Sequence, residues 1–390
     1  MSRGPALAVT SFSLASLMAV AGAPAPLYGT YRQLYGVTPS GVTGSFAVYI
    51  VMVAATLLVC GRLSNFVGRR AVLAASLMLG MLSCAILALI DGTEDLMIGR
   101  SLQGASSGLA MSAVSAYVID LQSPRRPAIG SILSSAGPTV GLALGALISG
   151  ALVQFAPHPT QLVYGISIAV LAVCLLSVPL LPETAFRSRG ALASLKPRIS
   201  VPDHARRAFI GVCACALAVW ALSGFYQSLG PELAATQLHH TGQFVGGLVV
   251  ASLVGPTVLG GLVSSRVRPV TAMWVGLSVV ISAILGVLMG LQWGSTALFF
   301  AASVVCGCGF GCAFNGAMQA MLGQARPGDR TGVLSAIYLV SYFGAALPAY
   351  LAGVAEPYWG LQTVAVMYGC LVIALSALAI VLVRLRRGPQ

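Results

Sequence analysis

The sequence predicts an all-α integral membrane protein in which twelve transmembrane helices form two pseudo-symmetric bundles of six. Three observations lead to this prediction. Only 8% of the 390 residues are charged, against roughly a quarter in a soluble globular protein. Hydrophobic residues make up 57% of the chain, with a mean hydropathy of +0.91. Apolar runs of the roughly 20 residues that cross a bilayer recur from end to end, which excludes a soluble enzyme.

The spans are read from the apolar stretches between charges, prolines and glycine clusters. The first six are predicted near 8–28, 42–62, 71–90, 96–118, 127–153 and 161–181, and the second six near 207–228, 243–263, 270–291, 297–321, 331–353 and 362–384. One long polar connection divides the chain near its midpoint. We therefore predict an N-terminal bundle over 1–182, a cytoplasmic linker over 183–206 and a C-terminal bundle over 207–390.

The basic residues predict the orientation. With the N-terminus inside, 19 of the 21 basic residues fall in cytoplasmic segments, as the positive-inside rule requires. Arg32 falls outside and Arg100 lies within the fourth span. The net charge of +12 then reflects topology and contact with anionic membrane lipid, so no nucleic-acid partner is expected. Twenty arginines against one lysine suggest a GC-rich bacterial genome, so we expect a bacterial cytoplasmic (inner) membrane with both termini cytoplasmic.

Two features of the sequence invite other interpretations. The segment around Ala21, Gly22 and Ala23 is similar to a secretory cleavage site, but its removal would leave eleven spans and break the orientation pattern, so we expect it to stay as the first span. Clustered cysteines at 306, 308 and 312 suggest a metal site. Because no histidine or carboxylate joins them in that span, we expect no metal, no disulfide and no cofactor.

The most specific motif lies between the second and third spans, where the chain reads Gly61-Arg62-Leu63-Ser64-Asn65-Phe66-Val67-Gly68-Arg69-Arg70. This loop resembles the G-x-L-x-D-x-x-G-R-R/K motif of the major facilitator superfamily, in the place where that family carries it. The resemblance extends over the whole chain and implies that fold, with a conformational gate at Gly61, Leu63, Asn65, Gly68, Arg69 and Arg70. Asp120, at the cytoplasmic end of the fourth span, is the expected partner of the arginines.

One residue of this loop departs from the family pattern. The family's acid is Asn65 here, and the resemblance implies that the acid faces the N-terminus of the eleventh span. A charge at a helix N-terminus contributes about 0.3–1 kcal/mol. Our hypothesis is that Asn65 shifts the resting population toward an inward-open state. The alternative is that hydrogen bonds of the Asn65 side chain are enough to take over the role of the acid. A partial copy of the loop, with Gly260, Leu262 and Arg268 in register, follows the eighth span.

Two further segments are similar to family elements. Arg100, Gln103 and Gly104 resemble the R-x-x-Q-G element, and Arg100, Gln103 and Ser107 share one helix face. Because an intramembrane arginine costs at least about 2.5 kcal/mol, we expect it to face a cavity and bind an anionic or carbonyl group, or to join a proton relay; the alternative is snorkelling to the outer headgroups. In the fifth span, Gly137, Pro138 and Gly141 resemble the G-P-x-x-G-G element of antiporters, although Leu142 replaces the last glycine.

Other polar and aromatic side chains recur at helical spacing. The resemblance implies that the first, fourth, seventh and tenth spans line the cavity, at the interface of the bundles. Candidates there and in the eleventh span are Trp220, Ser223, Gln227, Asn315, Gln319, Tyr338 and Tyr342. Each of them is also compatible with a hydrogen bond between helices.

The function implied is secondary transport. No acid lies in the middle of a span, so the cavity should prefer neutral, amphipathic or weakly anionic compounds. We predict export of a small organic molecule by proton antiport through alternating access, carried out by a monomer. The alternatives are an uptake carrier for a sugar or similar metabolite and a transport-inactive membrane sensor. No nucleotide-binding loop and no paired carboxylates or Ser/His set at membrane depth are present, so we expect no enzyme.

Overall fold

The computed structural model describes residues 1–122, 127–185, 190–196, 206–237, 242–324 and 330–384. All regular elements in these ranges are helical. The chain divides into two compact units, Met1–Pro197 and Arg198–Gln390. Each unit packs its own set of long apolar helices.

The first unit contains six spans. Its helices are Arg3–Gly22, Ala25–Leu27 and Tyr28–Tyr35 (first span), Pro39–Cys60 (second), Arg69–Ala88 (third), Thr93–Leu109, Ala110–Val114 and Ser115–Leu121 (fourth), Pro127–Phe155 (fifth), and Pro159–Ser177 with Val178–Leu180 (sixth). Short helices Ser64–Val67 and Ala191–Ser194 lie in the connections. The second span begins cleanly because the Thr38 hydroxyl accepts a hydrogen bond from the Gly41 N–H at 3.1 Å and Pro39 occupies the first helical position.

The second unit repeats this order. Its helices are Arg206–Ser228 and Gly230–Gln237 (seventh span), Gln243–Val254 and Thr257–Ser264 (eighth), Pro269–Gln292 (ninth), Thr296–Leu322 (tenth), Arg330–Trp359 (eleventh) and Leu361–Arg384 (twelfth). The seventh span is interrupted after Ser228, as the first is after Gly22. In both units a short helix of eight residues follows the interruption.

Eleven of the described helices are long and apolar enough to span a membrane. The fourth span is not among these eleven and completes the twelve predicted spans. Its first α-helix, Thr93–Leu109, has 17 residues and carries Glu94, Asp95 and Arg100, so it is shorter and more polar than the other spans. Its α-helix is also interrupted by a π-helical turn, Ala110–Val114, a distortion that is frequent at functional sites.

Glycines bring neighbouring helices into backbone contact. A Cβ on Gly22 would collide with the Leu142 carbonyl oxygen, and a Cβ on Gly104 would collide with that of Tyr49. The second unit repeats both contacts, with Gly224 on Ala345 and Gly307 on Leu253. The first and fifth spans therefore pack in the same register as the seventh and eleventh, and the second and fourth in the same register as the eighth and tenth.

This register corrects one reading of the sequence. Gly260 and Leu262, which were aligned with the loop after the second span, lie inside the helix Thr257–Ser264. Gly260 packs on the backbone of Cys308 in the tenth span. The connection that follows the eighth span is therefore shorter than its counterpart in the first unit and does not reproduce the motif.

Candidate functional site

The fourth span buries three polar side chains on one face. Arg100, Gln103 and Ser107 are each at most 2% exposed. Their spacing of three and four residues places them one above another along the helix. The structure thus brings together the three residues that the sequence selected here, and it buries the guanidinium instead of leaving it at the surface.

A break in the first span supplies hydrogen-bond acceptors to these side chains. The Val20 carbonyl would ordinarily accept from the backbone N–H four residues later, but that residue is Pro24, which has no N–H. Gln103 Nε2 donates to the Val20 carbonyl oxygen at 2.8 Å, and that oxygen also accepts from the Ala23 N–H at 3.3 Å. Arg100 Nη1 donates to the Ala21 carbonyl oxygen at 3.3 Å and to Gln103 Oε1.

The Arg100 guanidinium also lies on an aromatic ring and has one N–H donor that is not used. Its Cζ is 4.1 Å from the ring centroid of Tyr49, a cation–π contact. Its buried Nε–H meets no acceptor among the described residues. No carboxylate in the part of the chain that the structure describes pairs with it. A buried cation without a counter-charge is costly, and the planar donor fork matches a carboxylate or carbonyl group.

Two more contacts stabilise the broken segment. The Tyr31 and Tyr164 hydroxyls form a buried hydrogen bond of 2.7 Å between the first and sixth spans. The Ser149 hydroxyl donates to the Ala23 carbonyl oxygen at 2.6 Å. Sequence reasoning missed both contacts, although the prolines at 24 and 26 within an apolar run signalled the break that creates them.

The loop between the second and third spans is held by an ion pair and by hydrogen bonds. Arg69 Nε donates to Asp120 Oδ2 at 3.0 Å, the partner expected from the sequence, and the Arg69 guanidinium also donates to the Ser64 hydroxyl. Arg70 donates to the Pro179 carbonyl oxygen at 2.9 Å. These contacts tie the loop to the ends of the fourth and sixth spans.

Glu183 is a member of this network that the sequence did not reveal. Its carboxylate accepts from the backbone N–H groups of Arg69 and Arg70, at 2.8 and 3.2 Å, and so caps the third span. Gly68 precedes that helix with a φ of 105°, and a Cβ there would lie 2.7 Å from Glu183 Oε2. Glycine is therefore required at this position.

The other members of the predicted gate, Gly61, Leu63 and Asn65, are not part of the network that Arg69, Arg70, Asp120 and Glu183 form. Gly61 has helical backbone angles, whereas Gly68 has the positive φ of a turn. Leu63 begins the single helical turn Ser64–Val67, and Asn65 is exposed on it. The role proposed for Asn65 stays a prediction.

The fifth span packs directly on the first. Its helix Pro127–Phe155 continues through Pro138. A Cβ on Gly141 would collide with the Ala15 carbonyl oxygen, and one on Gly145 with that of Ala19. Gly137 makes a looser contact, since a Cβ there would lie 3.9 Å from the Leu14 side chain. The Gly137, Pro138 and Gly141 element therefore serves close packing of two helices.

In the second unit the structure brings three of the candidate residues into one group of aromatic rings. Trp220, Tyr338 and Tyr342 come together, with the Trp220 ring 5.3 Å from that of Tyr342 and the two tyrosine rings stacked at 5.9 Å. Two phenylalanines that the sequence did not single out, Phe310 and Phe314, join them.

The remaining candidates of the second unit make no ring contact and form hydrogen bonds within their own helices or lie exposed. Gln227 Nε2 donates to the Ser223 hydroxyl at 2.9 Å, one turn earlier on the same helix. Asn315 donates to the Gly311 carbonyl oxygen on its own helix and faces Gly261 of the eighth span. Gln319 is exposed one turn further on.

Sequence comparison places the chain among membrane transporters. The profile of the Major Facilitator Superfamily matches residues 10–349. The chain is 25% identical over 130 residues to the Uncharacterized MFS-type transporter YybF of Bacillus subtilis (strain 168), covering 33% of this chain and 32% of that protein. It is 29% identical over 131 residues to the Inner membrane transport protein YnfM of Escherichia coli (strain K12), covering 33% and 31%. These matches span about a third of the length of either curated relative.

Solved structures share the fold. A bacterial homolog of the human lysosomal transporter Spinster, in an inward-facing and unoccupied conformation, has a TM-score of 0.77 at 13% identity, covering 98% of this chain and 97% of that one. The nucleoside transporter NupG has a TM-score of 0.73 at 14% identity, covering 97% and 99%. At such identities the likeness concerns the fold alone.

Proposed function

The chain belongs to the Major Facilitator Superfamily, and from this premise we propose that it exports a small neutral, amphipathic or weakly anionic organic compound in exchange for protons. It is a multi-pass membrane protein and a transporter of that superfamily. The proposal adds the direction of transport, the class of substrate and the coupling ion. It also places the protein in a bacterial cytoplasmic membrane with both termini inside.

The buried Arg100 guanidinium carries the proposal. It has a hydrogen-bonding and aromatic environment that fixes its position, yet the described residues supply no counter-charge and leave its Nε–H without an acceptor. A substrate carboxylate would satisfy both the charge and the unused donor, and a carbonyl oxygen would accept from the unused donor. A substrate that is fully cationic would be repelled.

Proton exchange is supported by the fifth span and constrained by the chemistry of arginine. The Gly137, Pro138 and Gly141 element resembles that of antiporters. Because an arginine side chain stays protonated in proteins, Arg100 would bind and orient the substrate without releasing a proton. The exchanged proton would then be carried by an acid such as Asp120 or by an ionisable group of the substrate.

Inverted membrane vesicles test direction and coupling together. Vesicles that contain the protein are acidified inside, loaded with a pH-sensitive dye and exposed in turn to a panel of planar carboxylates, esters and quaternary amines. Exporting exchange predicts that a substrate entering the lumen releases protons from it, and that vesicles without the protein show no release. Substrate accumulation without proton release would contradict antiport, and release driven only by cationic compounds would contradict the proposed substrate class.

A further inference from the structure

Five aromatic rings meet in the second unit, and we refer to Trp220, Phe310, Phe314, Tyr338 and Tyr342 as the aromatic cluster. The Trp220 indole is at the centre, with ring centroids 5.3 Å from Tyr342, 5.7 Å from Phe314 and 6.2 Å from Phe310. All three rings meet the indole edge to face. Tyr338 stacks on Tyr342 and lies 6.4 Å from Phe314. Three spans, the seventh, tenth and eleventh, therefore contribute to one aromatic surface.

The aromatic cluster has features that core packing alone does not need. Trp220, Phe314 and Tyr338 are only half-buried, so part of the ring surface is open. The Trp220 Nε1–H is nevertheless buried and meets no acceptor among the described residues. A buried indole N–H normally finds a partner. An unused donor beside open aromatic faces indicates that an acceptor arrives from outside the chain.

The internal repeat shows that the fold does not require these rings. The registers of the glycine contacts match each half of the protein to the other, span by span. The first-unit positions that correspond to Trp220, Phe310 and Tyr342 hold Met18, Ser107 and Thr139. The same helix packing is therefore built in the first unit with small or flexible side chains, and the rings are a property of the second unit.

We propose that the aromatic cluster is a binding subsite for a flat, uncharged ring system that carries a carbonyl or ether oxygen. The ring would stack among the aromatic side chains, and the oxygen would accept the hydrogen bond of the Trp220 indole. An aromatic cage can also hold a quaternary ammonium group, but such a group has no lone pair for the indole N–H. The inference rests on the proposed function and specifies the substrate class: a planar, acceptor-bearing organic molecule.

Binding can be measured in detergent micelles without any gradient. The protein is labelled with ¹⁵N-tryptophan, and its four indole resonances, from Trp220, Trp274, Trp293 and Trp359, are assigned by single Trp→Phe substitutions. Ethyl 2-naphthoate is the probe. We expect a saturable downfield shift of the Trp220 indole proton alone, with weaker binding of 2-ethylnaphthalene, which lacks the carbonyl, and none of ethyl decahydronaphthalene-2-carboxylate, which lacks the flat ring.

Matched variants separate stacking from overall packing. Phe314→Leu removes a ring of the aromatic cluster, whereas Phe300→Leu removes a partly buried ring of the same span that lies against Phe299 instead. Phe314→Leu should weaken binding of ethyl 2-naphthoate roughly two- to tenfold, the range expected for one aromatic contact, and Phe300→Leu should leave it unchanged. In Trp220→Phe the indole probe is absent, so binding is followed by the fluorescence of the naphthalene ring, and the preference for ethyl 2-naphthoate over 2-ethylnaphthalene should be lost.

Three results would overturn the subsite: no shift at Trp220, equal shifts of the other indoles, or a shift of Trp220 by tetramethylammonium at the same concentrations. Equal weakening by Phe314→Leu and Phe300→Leu would also overturn it, because a shared loss points to general packing. The outcome is independent of transport. Binding at Trp220 without proton exchange in vesicles contradicts only the proposed function, and exchange of other compounds without any response at Trp220 contradicts only the subsite.

Discussion

Gln103 donates a hydrogen bond of 2.8 Å to the carbonyl oxygen of Val20, two residues before the first helix of the chain ends. That carbonyl is available because Pro24 cannot donate to it. A proline in one span thus creates an acceptor that a side chain of another span uses. The same break places the Ala21 carbonyl against Arg100. The position of the buried cation therefore depends on an interruption of the first span.

Replacement of Pro24 tests this dependence. Pro24→Ala restores a backbone N–H that competes with Gln103 for the Val20 carbonyl. We expect a protein of equal or higher thermal stability, because a helix interior without proline is more favourable, but with transport lowered several-fold because Arg100 and Gln103 lose their fixed acceptors. Thermal unfolding in detergent and transport in vesicles are the two measurements.

Pro159→Ala is the matched control for that substitution. Pro159 occupies the first position of the sixth span, where no backbone N–H is needed, so its replacement should leave both properties unchanged. Full transport activity in Pro24→Ala would show that the break does not position the site.

The contact between the first and fifth spans predicts a size limit at Gly145. A methyl group there collides with the Ala19 carbonyl oxygen, so Gly145→Ala must push two helices apart at a cost of about 1–3 kcal/mol. We expect a lower midpoint of thermal unfolding and less protein in the membrane. Gly165→Ala, on the sixth span, adds a methyl group with nothing within 4 Å and should behave like the wild type. Equal midpoints for the two variants would refute the close contact.

Glu183 predicts a stabilising cap at the start of the third span. Its carboxylate accepts from two N–H groups of the first helical turn, and loss of such a cap costs about 0.5–2 kcal/mol. Glu183→Ala should therefore lower the midpoint of thermal unfolding. Glu94→Ala removes an exposed acid from the first turn of the fourth span and should have a smaller effect. The cap is absent if Glu94→Ala destabilises the protein as much as Glu183→Ala.

Most of the fold could be predicted from hydropathy, because a backbone that crosses lipid must form all its hydrogen bonds within the protein. A helix does so within one segment. Eleven of the spans are long and apolar enough to be recognised from length and composition alone. The fourth is not, but it could be recognised by its place between the third and fifth. Arg100 and Gln103 could be predicted because their three-residue spacing defines a helix face. The pairing of Arg69 with Asp120 followed from the family pattern and opposite charge.

The missed parts of the site share a physical reason. The carbonyls of Val20 and Ala21 are backbone groups, so no residue type reveals them, and only Pro24 marks their release. Glu183 reaches its partners from the far end of the first unit, and a single acid after a span has no periodic pattern. Phe310 and Phe314 are apolar residues in an apolar helix, so nothing distinguishes a ring beside Trp220 from one that faces lipid.

The central claim is that Arg100 binds the transported compound, and its replacement tests that claim most directly. Arg100→Gln removes the charge, Arg100→Lys keeps the charge without the planar donor fork, and Arg3→Gln removes an exposed arginine as a control. The measurement is the initial rate of proton release from inverted vesicles with one planar carboxylate or ester that the wild type exchanges. We predict a loss of roughly 10- to 100-fold for Arg100→Gln, the loss of one charged hydrogen bond, partial loss for Arg100→Lys and no change for Arg3→Gln. A rate for Arg100→Gln equal to the wild-type rate, at equal amounts of folded protein, would contradict the account.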